Sequence, residues 1–155
     1  MKLKRALLVI GLIIVIGIGV YFVTQNTPAK KNDRILWGLL NEFSDAISNL
    51  SQAEIVETKG ICGKLYGNGN GMQYFGAVLV KQDSIKDMTA LLEQLDQMFE
   101  IVAVTAQEDN EIKTKYLGHH SLSFETTMPD GTQYICIYFF NSHHPDSNPY
   151  DIRGH

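Results

Sequence analysis

Paired histidines are the residues of this chain whose types and spacing suggest chemistry most directly. The five histidines form two adjacent pairs and one single residue at the end of the chain. Imidazole and carboxylate groups are common ligands of zinc and similar metals. The candidate ligands are His119, His120, His143, His144 and Asp146. The spacing argues against a metal site, because adjacent residues of a strand point to opposite faces and each pair then offers one ligand per side. We therefore expect solvated histidines and no bound cofactor.

The two cysteines, Cys62 and Cys136, are a second candidate for chemistry. A thiol hydrolase would need a base close to one of them, such as His119 or His120, and an orienting carboxylate such as Asp146. If the domain faces an oxidising compartment, the two cysteines are able to form a disulfide. The alternative, favoured by the apolar strand residues around each cysteine, is a pair of unconnected buried thiols. No motif identifies a reaction, and an enzyme is the less favoured hypothesis.

An apolar run near the N-terminus indicates where the protein is placed. Residues 6–23 contain no charged or amide side chain, and Lys2, Lys4 and Arg5 come directly before them. A helix over this run rises roughly 27 Å, which is close to the hydrocarbon thickness of a bilayer. Residues 1–25 are therefore predicted to be a membrane anchor or signal segment.

Retention of this segment is favoured over its removal. The run is longer than the apolar stretch of a usual secretory signal, and its one plausible cleavage site, Thr27-Pro28-Ala29, matches poorly. The alternative is a protein secreted after cleavage. The basic N-terminus favours a cytoplasmic start of the chain, which leaves the following domain on the extracytoplasmic side.

The charge of the remaining chain excludes one class of partner. Beyond residue 25 there are 10 basic and 17 acidic residues, a formal charge of −7. Binding to nucleic acid or to anionic lipid head groups relies on clustered Lys and Arg side chains, so the acidic surface disfavours both, and we expect no nucleic-acid partner. The acidity itself is typical of a soluble small domain.

Hydrophobic periodicity predicts one small domain over residues 34–141, after a linker at 26–33 and before an irregular tail at 142–155. Asn32 or Asp33 is expected to cap a first amphipathic helix, in which Trp37 packs with Leu36 and Leu40; the membrane interface is the alternative for Trp37. The further predicted elements are a hairpin of segments 60–67 and 72–81, a helix over 84–99, a strand over 100–107, and a hairpin of segments 112–126 and 132–141.

The last hairpin has a predicted register and position. Pairing around Pro129-Asp130-Gly131 places Phe124 opposite Ile135 and His120 opposite Phe139. The segment 132–141 is apolar on both faces, so we expect a central strand that is covered on both sides.

These elements predict an α+β fold with an antiparallel sheet of about five strands and two helices, in the order α-β-β-α-β-β-β. That order is similar to the order in profilin-like and roadblock-type domains, which are mostly interaction modules. The functional prediction is a membrane-anchored, extracytoplasmic domain that binds another protein or an envelope component. The alternative is an exported metal-dependent or thiol hydrolase built around the two histidine pairs.

Overall fold

The computed structural model describes residues 2–25, 27–66, 72–129 and 131–141, with side chains from residue 10 onward except at residue 25. The tail 142–155 lies outside the described residues, and with it His143, His144 and Asp146. In the described residues, three α-helices and one four-stranded antiparallel sheet form an α+β fold. The predicted fold class is therefore confirmed, whereas the predicted strand number and order are wrong.

Helix α1 spans Lys2–Gln25, and helix α2 follows almost at once at Pro28–Ser51. Thr27 caps α2, its Oγ1 accepting a hydrogen bond from the Lys30 N–H (3.4 Å), and Pro28 occupies the first helical position. The residues predicted as a linker are thus helical from Pro28 onward. Asn32 is no cap: it is buried in α2, and its Oδ1 accepts a hydrogen bond from the Tyr74 hydroxyl (2.9 Å).

The described side chains of α1 are all exposed, from Ile10 to Thr24. Within the described part of the chain, no single helix is long and apolar enough to cross a membrane. The segments 10–24 and 28–51, bent by 58° at their junction, meet the requirements of length and composition only as a pair. Residues 6–23 are helical as expected, and a membrane crossing by them stays a prediction.

The sheet consists of β1 (Ile55–Gly63), β2 (Gln73–Lys81), β3 (Ile101–Gln107) and β4 (Tyr134–Asn141), in the spatial order β1-β2-β4-β3. Helix α3 (Met88–Leu95) connects β2 to β3 and is capped by Asp87, whose Oδ1 accepts from the Ala90 N–H (3.0 Å). Strand β4 is central, as predicted, because it pairs with β2 on one side and β3 on the other.

The predicted strand over 112–126 does not form. This segment contains a short 3-10 helix at Lys115–Leu117, and its Ser123 forms one isolated bridge with Glu111, just before the segment. Both edges of β4 are already occupied, so Phe124 does not pair with Ile135, nor His120 with Phe139. The segment instead covers the face of the sheet that the helices leave open, where it buries Ile112, Leu117 and Phe124.

Helices α2 and α3 cover the other face of the sheet. Phe43 of α2 packs edge to face on Phe99 and Phe139, with ring centroids 4.8 and 5.0 Å apart. Gly60 and Gly76 are cross-strand partners beneath α2. A Cβ atom at Gly76 would lie 2.8 Å from Leu40 and closer still to the Phe139 ring, so glycine permits the close approach of helix and sheet.

Candidate functional site

A groove of about 490 Å³ opens at one edge of the sheet, and we refer to it as the β1 groove. Its wall is formed by three separate parts of the chain: the first turns of α2, the end of β1, and the segment that covers the second face of the sheet. The lining residues are Asp33, Leu36, Trp37, Gly60, Ile61, Cys62 and His120.

Helix α2 supplies the wall on one face of the sheet. Leu36 and Trp37 come three and four residues after Asp33, so each of them neighbours Asp33 on the helix surface, on either side of it. Leu36 is buried in the core, whereas 54% of Trp37 is exposed. The prediction that Trp37 packs in the core is therefore wrong, because its position in the helix is turned outward from the row that contains Leu36 and Leu40.

Strand β1 forms the floor of the groove and is an edge strand. It pairs with β2 alone in the described sheet, so its other side has no strand partner. In an antiparallel strand, N–H and C=O groups point alternately to the two sides, so an edge offers hydrogen-bonding groups to another chain. The groove exposes this edge at Gly60, Ile61 and Cys62.

His120 reaches the groove from the opposite face of the sheet. Its N–H donates to the Leu117 carbonyl (3.0 Å), which ties it to the short helix before it. Gly118 makes this turn possible, since it has φ +60° and a Cβ atom there would collide with the Leu65 carbonyl. His120 is half-buried, while His119 next to it is exposed.

The segment that carries His120 is anchored to β1 by Glu57. The Glu57 carboxylate accepts hydrogen bonds from the N–H groups of Glu125 (2.9 and 3.0 Å) and Thr126 (2.9 Å) and from the Thr126 hydroxyl (2.7 Å). Partial burial would raise the pKa of Glu57, but these hydrogen bonds and Lys59 outweigh it and hold the pKa at about 2. The carboxylate is thus ionised at neutral pH and fixes the covering segment.

The cysteines lie on opposite faces of the sheet. Cys62 belongs to the core under the helices, and its Sγ lies 3.9 Å from Oδ1 of Asp33 as a hydrogen-bond donor. Cys136 belongs to the core on the second face. Both are free and buried, and their placement favours the unconnected thiols over the disulfide. Burial raises the pKa of Cys136 to about 12, only partly opposed by a hydrogen bond with Thr105, so this thiol is protonated at neutral pH.

The predicted metal ligands are not brought together by the part of the fold that is described. His119 is exposed and His120 lines the β1 groove, while the other three candidates lie outside the described residues. Among the residues described, no group of three His, Cys, Asp or Glu side chains is close enough to hold a metal ion. The expected solvated histidines and the alternative zinc site therefore both stay predictions.

Sequence reasoning brought Cys62 and His120 together only within the less favoured thiol-hydrolase hypothesis, which also allowed Cys136 and His119. Asp33, Leu36 and Gly60 were missed, because the groove forms from elements far apart in the sequence. The chain matches no protein-family model, no curated protein and no solved structure.

Proposed function

We propose that this protein is a membrane-anchored binding module that takes up an extended segment of another protein along the edge of β1. One observation carries the proposal: the β1 groove straddles an open strand edge, with Trp37 on one face of the sheet and His120 on the other. An extended peptide that adds to a sheet edge gains main-chain hydrogen bonds, and pockets on alternate sides select its side chains.

The groove is suited to that mode of binding by its position. Successive residues of an added strand point to opposite faces of the sheet. On the helix face they would meet Leu36 and the exposed ring of Trp37, and on the other face they would meet His120. We expect an apolar residue on the helix side of the bound segment.

The exposed apolar surface of α1 supports the membrane anchor. Its described side chains are exposed around the whole helix, although Ile, Leu, Val and Phe make up most of them. Exposed apolar surface costs about 25 cal/mol per Å² in water, whereas lipid removes that cost. The proposal is a span over residues 6–23, with the N-terminus in the cytoplasm and the domain on the extracytoplasmic side.

Site-specific photocrosslinking in native membranes tests the binding site. A photoreactive amino acid at Ile61 of the full-length chain should give a crosslinked protein adduct, because Ile61 lies on the open edge. The matched control places the same amino acid at Glu93, an exposed residue of α3. Equal adducts from both positions, or none from Ile61, would contradict the proposal.

A thiol hydrolase is the second candidate, because Asp33, Cys62 and His120 line one groove. The carboxylate, however, lies beside the sulfur, whereas in a catalytic triad the carboxylate orients the imidazole. This arrangement favours a structural thiol. Alkylation of Cys62 by iodoacetamide that is faster in the native protein than in the unfolded chain would favour the hydrolase instead.

A further inference from the structure

We propose that the outward side of the first turns of α2 binds the phosphate groups of anionic lipids in the membrane that holds α1. The inference rests on the anchor of the proposed function and adds a second contact with the same membrane. Three residues form the binding surface, which we call the basic stripe: Lys30, Arg34 and Trp37.

The basic stripe follows from helical geometry. Its residues are spaced by four and three positions, which places them along one side of a helix. All three are exposed in the structure, while the side of α2 that carries Leu36 and Leu40 is buried against the sheet. The stripe therefore faces away from the core of the domain.

The chain places this stripe close to the bilayer. Helix α1 ends at Gln25 and α2 begins at Pro28, so two residues separate them. Even a fully extended chain covers only about 3.5 Å per residue, and Trp37 lies about 10 Å along the helix from Lys30. A membrane that contains residues 6–23 therefore has the start of α2 at its surface.

The chemistry of the stripe complements a lipid headgroup region. Lys and Arg side chains bind phosphate oxygens, and the indole ring of Trp is favoured at the membrane interface. Lys30, Lys31 and Arg34 are three of the 10 basic residues that follow residue 25, in a stretch whose formal charge, with them included, is −7. Asp33 lies beside the stripe on the same helix, and its Oδ1 accepts a hydrogen bond from the Cys62 thiol (3.9 Å).

This contact would fix the orientation of the domain. Trp37 lies on the rim of the β1 groove as well as on the stripe. With the stripe on the membrane, the groove opens beside the lipid surface. The segment that the groove takes up would then approach along the membrane.

Fluorescence of Trp37 tests the inference, since Trp37 is the single tryptophan of the chain. The full-length protein is reconstituted in phosphatidylcholine vesicles with and without phosphatidylglycerol, and quenching by brominated lipids is measured. We expect stronger quenching with phosphatidylglycerol. The variant K30Q/R34Q should lower the ratio of docked to undocked protein by about 30-fold, because each cation near an anionic surface contributes about 1 kcal/mol.

The control variant K86Q/K113Q removes two exposed lysines outside the stripe and should leave the quenching unchanged. Equal quenching of Trp37 in both lipids, or an equal loss of quenching in both variants, would show that the basic stripe does not bind anionic lipid. Failure of the anchor is distinguishable from failure of the basic stripe. Without the anchor, the protein would be absent from the vesicles after extraction at alkaline pH. Protection of Trp37 from aqueous acrylamide without quenching by brominated lipid would mean that protein covers it, which also overturns the inference.

Discussion

Glu57 is the side chain on which the attachment of the covering segment depends most clearly. It stands on β1, yet its hydrogen-bond donors lie in residues 125 and 126, far along the chain. Lys59 adds ion pairs to Glu57 (3.2 Å) and Glu125 (2.6 Å). Glu125 is exposed, so its ion pair contributes little, and the several hydrogen bonds that Glu57 accepts from residues 125 and 126 account for most of the effect.

The substitution Glu57→Gln should lower the free energy of unfolding at pH 7 by on the order of 2 kcal/mol. The folded pKa of about 2 lies below the ordinary value of 4.5. The carboxylate therefore stabilises the fold fully above pH 4.5, and this contribution is lost as the pH falls from 4.5 toward 2. Urea denaturation at pH 7 and pH 3 measures the difference.

The matched control for this substitution is Glu93→Gln, at an exposed carboxylate of α3 for which no hydrogen bond is described. Its stability should stay within about 0.5 kcal/mol of the parent at both pH values. A Glu57→Gln effect as large at pH 3 as at pH 7 would show that the ionised carboxylate is not the stabilising group.

At the scale of elements, the spacing between α2 and the sheet depends on a pair of glycines. Gly60 and Gly76 face each other across β1 and β2, and Leu40 of α2 occupies the space that their side chains would need. Since α2 also forms one wall of the β1 groove, this packing sets the width of the groove.

The substitution Gly76→Ala should lower the free energy of unfolding by about 2–3 kcal/mol, because the added methyl group collides with the buried Phe139 ring. The control is Gly38→Ala on the outward side of α2, where nothing lies within 4 Å of the added Cβ. That substitution should raise stability by about 0.5–1 kcal/mol, as alanine favours a helix. Thermal unfolding measures both, and changes of the same sign would contradict this packing.

The sequence predicted the elements better than their arrangement. The periodicity of α2 and the pairing of β1 with β2 involve residues close in the chain, and the helix and the hairpin both form, although β1 spans Ile55–Gly63 and not 60–67. The pairing of β2 with β4 is not local, because α3 and β3 lie between them in the chain. In the segment 112–126, apolar and polar residues alternate only around Leu122 and Phe124. These two apolar residues are as compatible with a covering segment as with a strand.

The candidate site was less accessible to sequence reasoning for the same physical reason. Cys62 and His120 attracted attention by residue type, but Gly60 and Leu36 have no chemical signature. Their roles follow from the strand edge beneath them and from the helix beside it. Trp37 was expected in the core because its neighbours are apolar. Its exposure depends on which side of α2 faces the sheet, and the sequence does not show this.

At the scale of the whole molecule, two proposals depend on the same anchor. A domain with formal charge −7 beyond residue 25 would be repelled by an anionic membrane unless an apolar segment holds it there. In these proposals the anchor supplies that attachment, the basic stripe orients the domain, and the β1 edge remains available to a partner.

Extraction of membranes with alkaline carbonate tests the anchor most directly. The full-length protein should stay in the membrane pellet, because carbonate removes peripheral proteins and leaves integral ones. The variant I14K/I18K should appear in the supernatant, since each charge at the centre of a span costs about 3 kcal/mol. Release of the parent protein by carbonate, to the same extent as the variant, would contradict the account.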